Sequence, residues 1–162
     1  MIEPRPYPTD VLAGCETGLL FFGAGLLGAN DGIHFRDAGI RAAVVDRDRD
    51  MLARMAPEYP REWIFFGADT FEWAETFRAE GGYADAVSVD PPLGQCEKAL
   101  EHLSLWLAIA RKALTLTVLN PVPRAGALLA FAAEIEEAKR DWRCSFFKRN
   151  SRVSWLVMVP DA

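Results

Sequence analysis

Cysteine and histidine are scarce in this chain of 162 residues, and their placement excludes the sites such residues usually build. Cys15, Cys96 and Cys144 stand far apart and form no C-x-x-C pair, so neither a disulfide framework nor a zinc site is expected. His34 and His102 are equally isolated, with no carboxylate at ligand spacing, and no bound metal is expected. No apolar run reaches the roughly 18 residues of a membrane span. The opening, Met1 to Pro8, is too polar and proline-rich to read as a signal peptide, and a cytoplasmic location is expected. Cationic excess is missing as well. Lys plus Arg number 18 against 23 Asp plus Glu, a formal charge of -5, so nucleic-acid binding would have to come from a local patch. Internal repeats, low-complexity tracts and an interdomain linker are all absent from the sequence.

What is present suits one folded unit. Hydrophobic residues make up 51% and charged residues 25%, enough to bury a core. The reading is an N-terminal arm over residues 1–17, with Thr9 or Asp10 capping a short helical turn, followed by a single domain over residues 18–162. Apolar β-type runs alternate with helical patterns. Leu19 to Phe22 precedes Leu26 to Ala38, Ala42 to Val45 precedes Asp48 to Met55, and Trp63 to Phe66 precedes Thr70 to Ala79. Ala84 to Val89 precedes a helix within Gln95 to Lys112, and Leu114 to Leu119 precedes a helix within Arg124 to Lys139. Short continuous apolar strands between helices predict a parallel sheet covered on both faces. Trp142 to Lys148 and Arg152 to Val159 break the rhythm, since Arg149-Asn150-Ser151 is too short for a crossover and demands an antiparallel hairpin.

The first strand runs into Gly23-Ala24-Gly25-Leu26-Leu27-Gly28, a G-x-G-x-x-G turn that lets a ligand approach backbone N–H groups at a helix start. Asp46 ends the second strand 18 residues after Gly28, where a carboxylate can hold the hydroxyls of a ribose. Asp48 and Asp50 read instead as acids of a helix's first turn. The third strand leads to Gly67-Ala68-Asp69 and the fourth to Asp90-Pro91-Pro92-Leu93.

In that order these motifs resemble the class I S-adenosylmethionine-dependent methyltransferases, especially the amino-methylating branch with its (D/N/S)-P-P-(Y/F/W) motif. The resemblance spans roughly residues 18 to 159. It implies a Rossmann-like α/β sandwich, a mostly parallel sheet closed by an antiparallel hairpin, and S-adenosyl-L-methionine as cofactor. It places Gly23, Ala24 and Gly25 under the methionine part, Asp46 on the ribose, Arg47 beside the adenine, and Asp69 with Thr70 at the adenine amino group. Asp90 and the Pro91 carbonyl would grip a substrate amine, with Pro92 and Leu93 completing the catalytic loop. Two acceptors on the N–H bonds of a conjugated amine would localise its lone pair and aim it, so that orientation rather than a strong base carries the rate.

Leu93 stands where the branch carries an aromatic, and Phe21 stands where the family carries an acid for the methionine amine. Asn30 and Asp31 are the nearby candidates to replace that acid. Lys139, Arg140, Arg143, Lys148, Arg149 and Arg152 interleave with Trp142, Phe146, Phe147 and Trp155, the composition of a nucleic-acid surface, although alternate positions of adjacent strands normally face a core. The expectation is N-methylation of a DNA or RNA base, with a partner protein or second copy able to supply recognition. The alternatives are a small-molecule methyltransferase, a non-catalytic binding module of the same fold, and a nicotinamide-dependent oxidoreductase.

Overall fold

A computed structural model describes residues 7–25, 31–120 and 142–160. Seven strands form one sheet in the order β3-β2-β1-β4-β5-β7-β6. They are β1 (Thr17–Phe21), β2 (Arg41–Asp46), β3 (Ile64–Gly67), β4 (Ala84–Val89), β5 (Ala110–Leu119), β6 (Trp142–Lys148) and β7 (Val153–Pro160). The first five pair in parallel, while β7 runs antiparallel to both β5 and β6. Helices α1 (Asp31–Asp37), α2 (Arg49–Met55), α3 (Thr70–Ala79), α4 (Cys96–Glu101) and α5 (Leu103–Ile109) accompany the sheet. This is the expected α/β sandwich.

The apolar runs are continuous because both sheet faces are covered. Leu19, Phe21, Val45, Leu114, Leu116 and Leu156 point into one core with Trp106 and Phe71. Their neighbours Leu20, Val44, Ala113, Trp155 and Val157 point into the other with Phe35 and Tyr7. From Tyr7 onward the arm joins that second core: the Tyr7 hydroxyl hydrogen-bonds Thr115 Oγ1 at 2.8 Å, and its ring stacks on His34. Burial, reinforced by the nearby Asp31 carboxylate, holds the Tyr7 phenol protonated well beyond its usual range.

Several boundaries differ from the pattern in the sequence. The N-terminal turn spans Thr9–Leu12 with Pro8 at the cap position and no side-chain cap, so Thr9 and Asp10 lie inside it. The helix expected within Gln95 to Lys112 is two helices, and Ala110 to Lys112 already belong to β5. At the break the Trp106 indole N–H donates to the Ala99 carbonyl at 2.8 Å, an acceptor near the end of α4 that the His102 N–H also reaches. Residues 110–112 extend β5 beside β4, where Ala110 pairs with Ala84, with Arg111 over the Tyr83 ring and Lys112 donating to the Gly14 carbonyl. Trp63 precedes β3 and donates its indole N–H to the Ile40 carbonyl. The helix expected within Arg124 to Lys139 lies outside the described residues, as do Leu26 to Asn30.

β1 is the switch point of the sheet. Its neighbours β2 and β4 lead away in opposite directions, so a crevice opens beyond the carboxyl ends of these strands, where open α/β sheets bind ligands.

Candidate functional site

That crevice is a cavity of about 390 Å3, within the roughly 300–1,000 Å3 typical of small-molecule sites. Ala24 and Gly25 line it from the end of β1, Asp46 and Arg47 from β2, and Asp69 and Thr70 from β3. Asp90, Pro91, Pro92 and Leu93 close it from β4. Ten of the eleven site residues expected from the sequence therefore meet around one space.

Gly23 is the eleventh and sits behind the wall. A Cβ there would meet Val44 Cγ1 at 2.7 Å and the Leu20 carbonyl oxygen at 2.9 Å, so its role is close packing of the turn on β1 and β2. A Cβ on Gly25 would meet no atom of the described residues within 4 Å. Gly23→Ala is thus expected to destabilise the fold by about 1–3 kcal/mol through overpacking. Urea unfolding would show this as a lower midpoint, and an unchanged midpoint would mean that the loop is not packed as described. The bend out of β1 is made by Phe22, which holds a left-handed φ of 57°. A bulky residue in that region is strained, and such strain collects at functional sites.

The acids are placed by backbone donors. Asp46 Oδ2 accepts the Ala24 N–H at 3.1 Å and Oδ1 accepts the Asp48 N–H at 2.9 Å, so one carboxylate ties the glycine turn to the start of the segment leading into α2. Asp48 caps α2 through the Met51 N–H, and Asp69 caps α3 through the Glu72 N–H. Asp50 lies in the first turn of α2, as the sequence indicates. Asp31, one of the two candidates for the missing methionine-amine acid, is buried and accepts the Ser88 hydroxyl. Asn30, the other, lies outside the described residues.

Asp90 is engaged in a way the sequence did not indicate. Its Oδ1 accepts the Thr117 hydroxyl at 2.7 Å and Arg149 Nη1 at 3.0 Å. The side chains of this pair are 15% and 3% exposed. Arg149 Nη1 also contacts Thr117 Oγ1 at 3.0 Å, and the guanidinium carbon lies 4.3 Å from the Trp155 ring centroid. Nη2 is buried without a hydrogen-bond partner among the described residues; a donor left so costs about 1–3 kcal/mol. Beneath the same loop, Cys96 Sγ lies 3.6 Å from the Pro92 carbonyl oxygen and 3.8 Å from that of Pro91. Burial, with a contribution from the Asp90 carboxylate, pushes the Cys96 thiol up to about 11, which makes it a weak donor to these carbonyls rather than a nucleophile.

The basic C-terminal segment divides. Arg149 belongs to the cavity, whereas Arg143, Lys148 and Arg152 are exposed. Lys139 and Arg140 lie outside the described residues. Of the aromatics expected to face a core, Trp155 does, but Phe146 is 50% and Phe147 42% exposed because β6 is the sheet's edge strand. Phe22, Gln95, Thr117 and Val153 also line the cavity and carry no motif that would mark them. Thr117 alone left a trace, as a hydroxyl inside the apolar run Leu114 to Leu119.

Among the described residues, Asp46, Asp48, Asp69 and Asp90 face this space against Arg47 and Arg149. Four carboxylates and two guanidiniums make it an acidic cavity. No described group of three or more His, Cys, Asp and Glu could hold a metal ion, and no described helix is long and apolar enough to cross a membrane.

A scan against protein families finds no match, and neither does a search of curated proteins. Solved structures do match. The chain is similar to a SAM-dependent methyltransferase from Agrobacterium tumefaciens with a TM-score of 0.66 at 13% identity, covering 94% of this chain and 58% of that one. It is similar to fibrillarin from Aeropyrum pernix with natively bound S-adenosyl-L-methionine, with a TM-score of 0.64 at 12% identity over 92% of this chain and 68% of that one. Human methyltransferase-like protein 13 in complex with SAH gives 0.63 at 13% identity over 96% and 77%. The chain spans 46% of a Streptococcus mutans protein described as a candidate methyltransferase and 58% of the Agrobacterium protein, about half the length of these molecules. At these identities the likeness is one of fold, a Rossmann-like methyltransferase sandwich.

Proposed function

We propose that this protein binds S-adenosyl-L-methionine and transfers its methyl group. The observation that carries the reading is the single cavity in which Ala24, Gly25, Asp46, Arg47, Asp69, Thr70 and the Asp90-Pro91-Pro92-Leu93 loop converge. Charge favours this cofactor over a nicotinamide dinucleotide. Four carboxylates against two guanidiniums suit a ligand with a sulfonium and an ammonium, and oppose a diphosphate. The solved structures of this fold that contain S-adenosylmethionine or its product support the same choice.

When bound, the cofactor supplies a methyl on a positively charged sulfur, which an in-line nucleophile displaces to leave a neutral thioether. Asp46 would hold the ribose diol while keeping the glycine turn in place. Asp69 and Thr70 border the adenine end, and the open side of Gly25 leaves room for the amino-acid tail. Pro91 and Pro92 stiffen the loop after β4, so the acceptor meets a preorganised wall.

For the acceptor, the Asp90-Pro91-Pro92 pattern supports an exocyclic or amide nitrogen of a DNA or RNA base. Phe146 and Phe147, exposed beside Arg143, Lys148 and Arg152, favour that class, because bases stack on aromatics while cations hold phosphates. A second reading, a small-molecule acceptor, is favoured by the Asp90–Arg149 pair, which occupies a carboxylate oxygen that an amine would need. A partner protein or a second copy of this chain would supply recognition in either case. Incubation with methyl-tritiated cofactor and unmodified DNA, RNA and a small-molecule cell extract is expected to label one fraction. Labelled nucleic acid identifies the first reading and a labelled small molecule the second. Binding without transfer to any fraction would contradict the enzyme reading and leave a binding module.

A further inference from the structure

We propose that Arg149 is a carboxylate-binding residue, whose Nη2 takes an oxygen of a ligand lodged at the β4–β5–β7 end of the cavity. The inference rests on the cofactor reading above and names the chemistry that this end of the site accepts.

Arg149 is built into place. The loop between β6 and β7 is tied by Asn150, whose side-chain oxygen accepts the Arg152 and Val153 N–H groups at 2.8 and 3.0 Å. Asn120, just past β5, donates through its side chain to the Asn150 carbonyl and through its backbone to the Arg152 carbonyl. Trp155 covers one guanidinium face. Nη1 is engaged by Asp90 and Thr117, so the side chain has one defined orientation.

That orientation leaves Nη2 as a buried donor with no hydrogen-bond partner among the described residues, on a side chain that is 3% exposed and lines the cavity. Buried donors are almost always satisfied, and one at a ligand site points to the ligand. The planar fork of a guanidinium can bind one carboxylate through Nη1 and another through Nη2. A cationic ligand group would be repelled here, while an anionic one forms the stronger, charge-assisted bond. In an otherwise acidic cavity, Arg47 and Arg149 are the two described cations that an anionic group could meet, and Arg149 is the buried one. Two sources share the chemistry. One is the amino-acid tail of S-adenosylmethionine, and the other is a carboxylate on the methyl acceptor.

Calorimetry with the full chain separates them. S-adenosylhomocysteine carries the carboxylate; 5′-methylthioadenosine keeps the nucleoside and thioether without it. If the tail is the source, Arg149→Gln and Arg149→Lys bind S-adenosylhomocysteine roughly tenfold or more weakly, the weight of one charge-assisted hydrogen bond, with 5′-methylthioadenosine unaffected. If the acceptor is the source, both nucleosides bind as in the parent. Malonate then binds the parent saturated with S-adenosylhomocysteine, at matched ionic strength, and binds neither variant. The lysine variant preserves a cation for Asp90 should the glutamine variant fail to fold. Folded variants that match the parent for all three ligands would overturn the proposal. A parent that binds neither nucleoside would sink the cofactor reading instead, while malonate titrated alone into the parent and both variants would still report on Arg149.

Discussion

Asp46→Ala is expected to reduce S-adenosylhomocysteine affinity by about 100-fold, since hydrogen bonds to a charged group contribute roughly 1.5–3 kcal/mol and more than one is lost. The carboxylate has two tasks. It faces the cavity at the carboxyl end of β2, where the ribose diol would lie, and it accepts the Ala24 and Asp48 N–H groups. Removing it deletes the ligand contact and releases the glycine turn at the same time. Asp46→Asn restores one acceptor oxygen but sets an NH2 group against a backbone donor, so recovery should be partial. Calorimetric titration of the three proteins measures this. Equal affinities would remove Asp46 from the binding site.

Arg149→Met is expected to destabilise the protein by about 2–3 kcal/mol, at or just below the lower end of the roughly 3–5 kcal/mol cost of leaving one member of a buried ion pair alone. The lower end applies because Asp90 retains 15% exposure and the Thr117 hydroxyl bond. Loss of packing against Trp155 adds to the effect. In a chain of this size the change corresponds to a fall in melting temperature of roughly 4–12 °C. The double variant Asp90→Asn/Arg149→Met should recover much of the loss, because no uncompensated charge remains. Urea unfolding of the four proteins in the cycle gives the coupling directly. Strictly additive losses would mean that the two residues do not form an ion pair in solution.

Much of this architecture is legible in the sequence because its signals are local. Thr70–Ala79, Ala84–Val89 and Trp142–Lys148 begin and end where the hydrophobic period changes. The three-residue gap Arg149 to Ser151 permits only an antiparallel hairpin, and β6 and β7 form one. The cavity walls are legible for a related reason: in an open parallel sheet, residues just past the strand ends share one rim, so Ala24, Asp46, Asp69 and Asp90 had to converge.

The remainder depends on distant partners. Arg149 sits in a basic run that reads as surface, and only the fold-back of β7 against β5 carries it to Asp90, 59 residues away. Phe146 follows Trp142 and Cys144 in the alternation of a core-facing strand while Phe147 breaks it, yet both are exposed because β6 is an edge, a property of sheet order. The helix divides at His102, where the Ala99 carbonyl accepts both the His102 N–H and the Trp106 indole N–H, a bond made seven residues along the chain. Phe22 in a left-handed conformation has no sequence signature, because Gly23 and Gly25 just after it are where such a backbone would be sought.

The most direct test of the central claim is calorimetric titration of the full chain with S-adenosylmethionine, S-adenosylhomocysteine and NADH under one buffer. The acidic cavity and its strand-end acids predict saturable binding of the first two and none of the third. Binding of NADH without binding of either adenosyl ligand would contradict the account.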